Sequence, residues 1–126
     1  MTCIAAGGES AVALFERVGA VFVLPEEQMD VATATMGVTP AYVALVAEAA
    51  IDAAIRSGLK ADMATDMFLA ALAGSAHLLQ ERGGDTLAVR REVTSPGGST
   101  ARGLAALERN GLRTAFDEAA RAVLNR

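Results

Sequence analysis

Residues 39–56 read T-P-A-Y-V-A-L-V-A-E-A-A-I-D-A-A-I-R. Thr39-Pro40 is a helix start signal, a capping hydroxyl followed by proline at the first helical position. The spacing predicts a helix to about Ser57, closed by Gly58. Glu48, Asp52 and Arg56 recur every four residues and form one narrow polar stripe. Almost every other side chain is apolar: Tyr42, Val43, Leu45, Val46, Ile51 and Ile55, with alanines between them. A helix that is apolar on nearly every side is buried on nearly every side.

A second helix of the same kind is expected from about Ala61 to Arg82. Between Met67 and Leu79 its only titratable side chain is His77. The small residues Ala70, Ala71, Ala73, Gly74 and Ala76 permit close backbone approach. A chain of 126 residues makes one domain with one core, and two such helices are difficult to bury inside it. The surplus apolar surface predicts a subunit interface.

Toward the N-terminus, residues 10–18 have helical spacing and Gly19 can end that helix. Residues 20–24 are a short apolar run of strand or extended type. Pro25 opens a further helix, with Glu26 and Glu27 placed for the helix dipole, which is expected to stop at Gly37. Toward the C-terminus, Gly83-Gly84 breaks the chain and Asp85 caps a short helix reaching Val89. A helix after residue 100 ends at Asn110-Gly111, and a last amphipathic helix covers about 113–124. The composition agrees: 52% hydrophobic but only 4% aromatic favours helices packed through Ala, Val and Leu over a β-sandwich. The predicted fold class is all-α and bundle-like, with about six helices.

Several function classes are disfavoured. The net charge is −4 and no basic stripe exists, so nucleic acid is not an expected partner. Cys3 is the only cysteine, which fits a reducing cytoplasm; a small buried hydrophobe is its plainest role. The N-terminus does not read as a signal peptide. The most apolar stretches are short or interrupted by Glu48 and Asp52, so no membrane association is expected. There is no G-x-G-x-x-G after a strand and no P-loop. No Cys/His cluster suggests zinc. Glu26, Glu27 and Asp30 read as a solvated helix start, so no metal site is expected, and His77 reads as a core or interface residue.

One segment remains: Thr94-Ser95-Pro96-Gly97-Gly98-Ser99-Thr100. Pro96 sets a turn position, and the glycines accept unusual backbone angles and let a ligand come close. The helix that follows offers free N–H groups and a positive dipole end. Such an arrangement binds small anions, carboxylates included. The hydroxyls of Ser95, Ser99 and Thr100 are available for a second polar group. The alternative is a proline turn followed by an ordinary Ser or Thr cap.

Val93 to Thr100, V-T-S-P-G-G-S-T, resembles the signature loop of pyrroline-5-carboxylate reductases. Three further segments agree in order. Phe15-Glu16-Arg17-Val18-Gly19, followed by Glu26 to Asp30, is similar to the family's helix, turn and second helix. Gly37-Val38-Thr39-Pro40-Ala41-Tyr42, with Glu48-Ala49 after it, is similar to G-S-G-P-A-Y. Gly103-Leu104-Ala105-Ala106-Leu107-Glu108, with Gly111 and Arg113, resembles the stretch after the loop.

The resemblance implies a helical dimerisation and substrate-binding domain over 1–126. Its fold would be interleaved in a dimer, of the 6-phosphogluconate dehydrogenase C-terminal type. The family's Rossmann coenzyme domain is not expected within these residues. It implies reduction of 1-pyrroline-5-carboxylate to L-proline, the last step of proline biosynthesis, with NADPH or NADH in the two-domain enzyme. Neither coenzyme is expected to bind this chain alone, nor is the chain expected to turn over by itself. The partner would be a second copy, in a homodimer or a decamer built from dimers, with L-proline or pyrroline-5-carboxylate as ligand. By the same resemblance, the backbone at Gly97, Gly98 and Ser99 would hold the substrate carboxylate. Thr100 would be the catalytic contact, bonding the ring nitrogen, and Ser95 would shape the pocket. Val38-Thr39, which stands where the family has Ser-Gly, would lie near the coenzyme. That departure keeps two alternatives: a non-catalytic dimerisation module, or a reductase of another cyclic imine.

Overall fold

The computed structural model describes residues 1–124, which divide into two compact units. The first comprises Met1–Tyr42 and the C-terminal residues from Asp117; the second is Val43–Phe116.

In the first unit, strand β1 (Thr2–Ala5) pairs in parallel with β2 (Val21–Leu24), Thr2 opposite Val21 and Ala5 opposite Leu24. Val21-Phe22-Val23-Leu24 is the β-branched and aromatic composition that strands favour. The connection is a 3-10 turn (Glu9–Ala11) and a single helical turn, α1 (Val12–Phe15). The helix expected over 10–18 is thus shorter, and β1 was not expected. A four-residue strand of Thr-Cys-Ile-Ala carries too little alternation to be read alone. The pair is an addition to a chain that is otherwise helical.

After Pro25 come a 3-10 turn (Glu26–Gln28), α2 (Met29–Ala32) and a π-helical turn (Thr33–Gly37), which lead directly into α3 (Thr39–Arg56). Gly37 does not stop the helix. Pro40 explains the π turn: it has no N–H for the Met36 carbonyl, and its ring crowds that carbonyl, so the ladder slips. Thr33 and Thr35 donate their hydroxyls to the carbonyls of Met29 (3.0 Å) and Val31 (2.8 Å), and Thr39 donates to Thr35. Such back-bonding bends helices. Thr39 is therefore no N-cap. α2 packs on β1, and Cys3 Sγ donates to Met36 Sδ at 3.3 Å.

Because the run does not break at Gly37, Glu26–Arg56 is 31 residues, long and apolar enough by length and composition to cross a bilayer. The run is longer than a stop at Gly37 would allow, but Glu48 and Asp52 interrupt it as the sequence shows.

The second unit holds the rest of α3, then α4 (Ala61–Glu81), α5 (Thr86–Glu92), α6 (Ser99–Arg109) and the start of α7 (Leu112–Leu124). Gly58, at φ +107°, ends α3. Its N–H donates to Ile55 O (2.9 Å) and the Leu59 N–H to Ala54 O (3.1 Å), the two bonds of a Schellman motif. Asp85 caps α5 as expected, accepting from Ala88 N at 2.8 Å.

The core is thin. Among the described residues only Ala34, Ala47 and Ala64 are buried hydrophobics. Leu45 on α3 is 65% exposed and Met67 on α4 is 58% exposed, with Val43, Val46, Met63 and Leu69 exposed beside them. The accessible area is 9248 Å². A folded monomer of 12.9 kDa exposes about 6,300 Å², so roughly 2,900 Å² is in excess. Two such chains together carry roughly 5,800 Å² of surplus, enough to supply an obligate dimer interface, which buries about 2,000–5,000 Å² or more in total. His77 is not a core residue in this chain: its side chain is 73% exposed and its Nε2 lies 3.3 Å from Glu81 Oε1.

Candidate functional site

Residues 94–100 lie entirely in the second unit: 94–98 form the turn after α5, and Ser99-Thr100 already begin α6. The turn is tight: the Gly98 N–H donates to Ser95 O at 3.1 Å. Gly97 sits at φ +69°, where a side chain is strained. Gly98 has ordinary angles (φ −68°, ψ 174°), yet a Cβ there would collide with Ser95 Oγ and approach Ser95 O to 3.2 Å. The two glycines are therefore required for different reasons, one conformational and one steric.

Gly98 is the N-cap of α6, and no side chain caps that helix. Ser99 and Thr100 are its first two residues. The first backbone bond back into the turn is Arg102 N to Gly98 O (3.2 Å). The N–H groups of Ser99, Thr100 and Ala101 precede it, so the helix itself gives them no acceptor. An ordinary Ser or Thr cap, the alternative left open by the sequence, is not what forms. The donors at the positive end of this eleven-residue helix therefore have no capping side chain, the chemistry that suits a small anion. Ser95, Ser99 and Thr100 are exposed.

The loop is braced from outside. Glu108 near the end of α6 accepts from Arg113 (2.9 Å) and lies 3.9 Å from Arg90 of α5. The Arg113 hydrogen bond, joined by the charges of Arg113 and Arg90, holds the Glu108 carboxyl below its usual range and the Arg113 guanidinium above its own. Arg102, one turn into α6, donates from Nη1 to Gly97 O at 2.7 Å. A groove of 240 Å³ behind the loop is lined by Leu87, Arg90, Arg91, Thr94 and Leu104. The Thr94 hydroxyl is buried there without a partner. The sequence pattern gave Thr94 no role of its own within the segment and did not single out Arg90 or Arg102.

Val38 and Thr39 belong to the first unit, at the junction of the π turn and α3. Neither lines the 530 Å³ apolar groove of that unit, which Cys3, Phe22, Leu24, Val31, Thr35 and Met36 enclose with others. The Thr39 hydroxyl proton is committed to the Thr35 carbonyl. Among the described residues no group of three or more His, Cys, Asp or Glu side chains is arranged for a metal ion.

The fold and the loop together define a helical domain with exposed apolar helices and a glycine turn that leads into a helix start without a side-chain cap. The sequence profile for pyrroline-5-carboxylate reductase dimerisation matches residues 26–126. The chain is 41% identical to the pyrroline-5-carboxylate reductase of Mycobacterium tuberculosis, over 94% of this chain and 46% of that protein. It is 42% identical to that of Thermus thermophilus, over 92% of this chain and 44% of the relative. Among solved structures, the Coxiella burnetii pyrroline-5-carboxylate reductase superimposes with a TM-score of 0.88 at 33% identity, covering 94% of this chain and 44% of that one. The Plasmodium falciparum pyrroline carboxylate reductase, solved with NADP bound, gives 0.84 at 30% identity over 95% of this chain and 49% of the other. The chain belongs to the pyrroline-5-carboxylate reductase dimerisation family. It spans about half the length of the relatives it matches.

Proposed function

We propose that this chain is the self-pairing, substrate-holding half of an enzyme that reduces 1-pyrroline-5-carboxylate to L-proline with NADPH or NADH. The observation that carries the reading is the uncapped start of α6 beneath the Gly97-Gly98 turn. There the N–H groups of Ser99 and Thr100 take the substrate carboxylate, while the bare backbone at Gly97 and Gly98 lets it come close. The Thr100 hydroxyl hydrogen-bonds the ring nitrogen, and Ser95, wedged against Gly98, shapes the near wall. The chain's contribution is orientation: it holds the ring so that the imine carbon faces the hydride donor. The coenzyme, when bound, supplies the hydride. Val38 and Thr39 contribute no more than one edge of a coenzyme site, so the chain alone is expected to be inactive.

The exposed apolar faces of α3 and α4 are the pairing surface. Small residues along α4 suit close helix contact with a second copy, and the apolar run Glu26–Arg56 is covered by a protein partner rather than by lipid. The unpaired thiol of Cys3 suits a reducing cytoplasm.

The test is binding of the product. L-Proline titrated into the isotope-labelled chain should shift the backbone amide resonances of Gly98, Ser99 and Thr100 saturably. Shifts confined to other segments, or none at millimolar L-proline, would remove the loop from the site.

A further inference from the structure

We infer that Arg102 is a positioning residue that locks the carboxylate-binding turn. The peptide joining Gly97 to Gly98 is held at both ends. Its carbonyl accepts from Arg102 Nη1 at 2.7 Å, and its N–H donates to Ser95 O at 3.1 Å. Gly97 is at φ +69° and a Cβ there would meet nothing within 4 Å, so no packing contact fixes the turn on that side, while Ser95 packs against Gly98 on the other. Two glycines in succession give this peptide more freedom than any other pair would. Without a partner, the Gly97 carbonyl is a partial negative charge free to swing toward an anion at the α6 N-terminus. The Arg102 bond is charge-assisted, which makes it stronger than a neutral one. It fixes the plane of the peptide that precedes the Ser99 and Thr100 N–H groups. It also brings a full positive charge to an end of the helix that already favours anions. No acidic side chain pairs with Arg102 among the described residues. Its role is therefore directed at the turn and not at another helix.

This inference rests on the reading of the loop as a carboxylate holder, and the experiment separates the two. L-Proline affinity is measured by amide shifts for the wild-type chain, Arg102→Ala and Arg102→Lys, together with Gly98 amide exchange and thermal midpoint. Arg102→Ala should weaken L-proline binding about tenfold and speed Gly98 exchange, with the midpoint within a few degrees of wild type. Arg102→Lys, which keeps a charged donor, should recover affinity to within about threefold of wild type. Wild-type affinity in Arg102→Ala, beside normal wild-type binding, overturns the role of Arg102 alone. So does a lowered midpoint with unchanged affinity, since Arg102 would then only stabilise the helix start. Failure of the wild-type chain to bind L-proline at the loop overturns the carboxylate reading and this inference with it.

Discussion

The two glycines of the turn make a prediction in which similar substitutions fail for different reasons. Gly97→Ala places a methyl group in open space but at φ +69°. The left-handed conformation costs about 1–2 kcal/mol, and the loss of chain freedom in the unfolded state returns about 0.4–1 of it. The expected net cost is about 1 kcal/mol. Gly98→Ala has an acceptable backbone, but its methyl group collides with Ser95 Oγ and lies 3.2 Å from Ser95 O. Ser95 must leave its rotamer, and the carbonyl must give by a few tenths of an ångström. Overpacking of this kind costs about 1–3 kcal/mol before the same entropic return. Removing the hydroxyl with Ser95→Ala relieves the collision at position 98 and does nothing for position 97. A double-mutant cycle by denaturant unfolding, at fixed protein concentration, should therefore give a 95–98 coupling of about 0.5–1 kcal/mol and a 95–97 coupling near zero. Equal couplings, or a Gly98→Ala chain as stable as wild type, would refute the steric account of the turn.

Other outcomes follow from the same geometry. Thr100→Ala should leave stability within about 0.5 kcal/mol, because Thr100 is the second helical residue and caps nothing, yet weaken L-proline binding about tenfold. A stability loss with unchanged binding would reverse its assignment. Asp85→Ala should cost about 1 kcal/mol, since it removes the acceptor of the Ala88 N–H at 2.8 Å; chemical denaturation checks this. The Glu108 side-chain carboxyl, followed by carbon NMR, should titrate below its ordinary value of 4.5. A lowered folded-state value means that the stabilisation from the Arg113 and Arg90 contacts is present above the unfolded value and lost as pH falls through the folded one. Arg113→Ala should move the midpoint back toward 4.5, and an unmoved midpoint would show that Arg113 is not the cause.

The long helices were legible because their signals are local and repeated. The four-residue stripe of Glu48, Asp52 and Arg56 and the uncharged run to Leu79 match α3 and α4 closely. The cap at Asp85 and the break at Asn110-Gly111 were legible for the same reason. What failed was competition between neighbours. Gly37 is a stop signal by itself, but the helical run passes through it, and the distortion appears as a π turn set by Pro40, Thr33 and Thr35. β1 escaped because its pairing with β2 is non-local, and four residues carry no period. At the candidate site, the residue types were legible and the cap was not. Only the backbone shows that Gly98, without a side chain, takes the cap position and leaves the donors of Ser99 and Thr100 open. Arg102 was missed because its partner is a backbone carbonyl, which sequence patterns do not reveal.

The central claim is that the exposed faces of α3 and α4 pair two copies of this chain. Light scattering across a dilution series tests it most directly, with Leu45→Arg as the comparison because Leu45 is 65% exposed and its loss leaves the monomer's own packing intact. The account predicts a dimer, or a multiple of dimers, that persists at micromolar concentration and dissociates in the variant. A wild-type chain that is monomeric throughout, with its helices intact by circular dichroism, would contradict it.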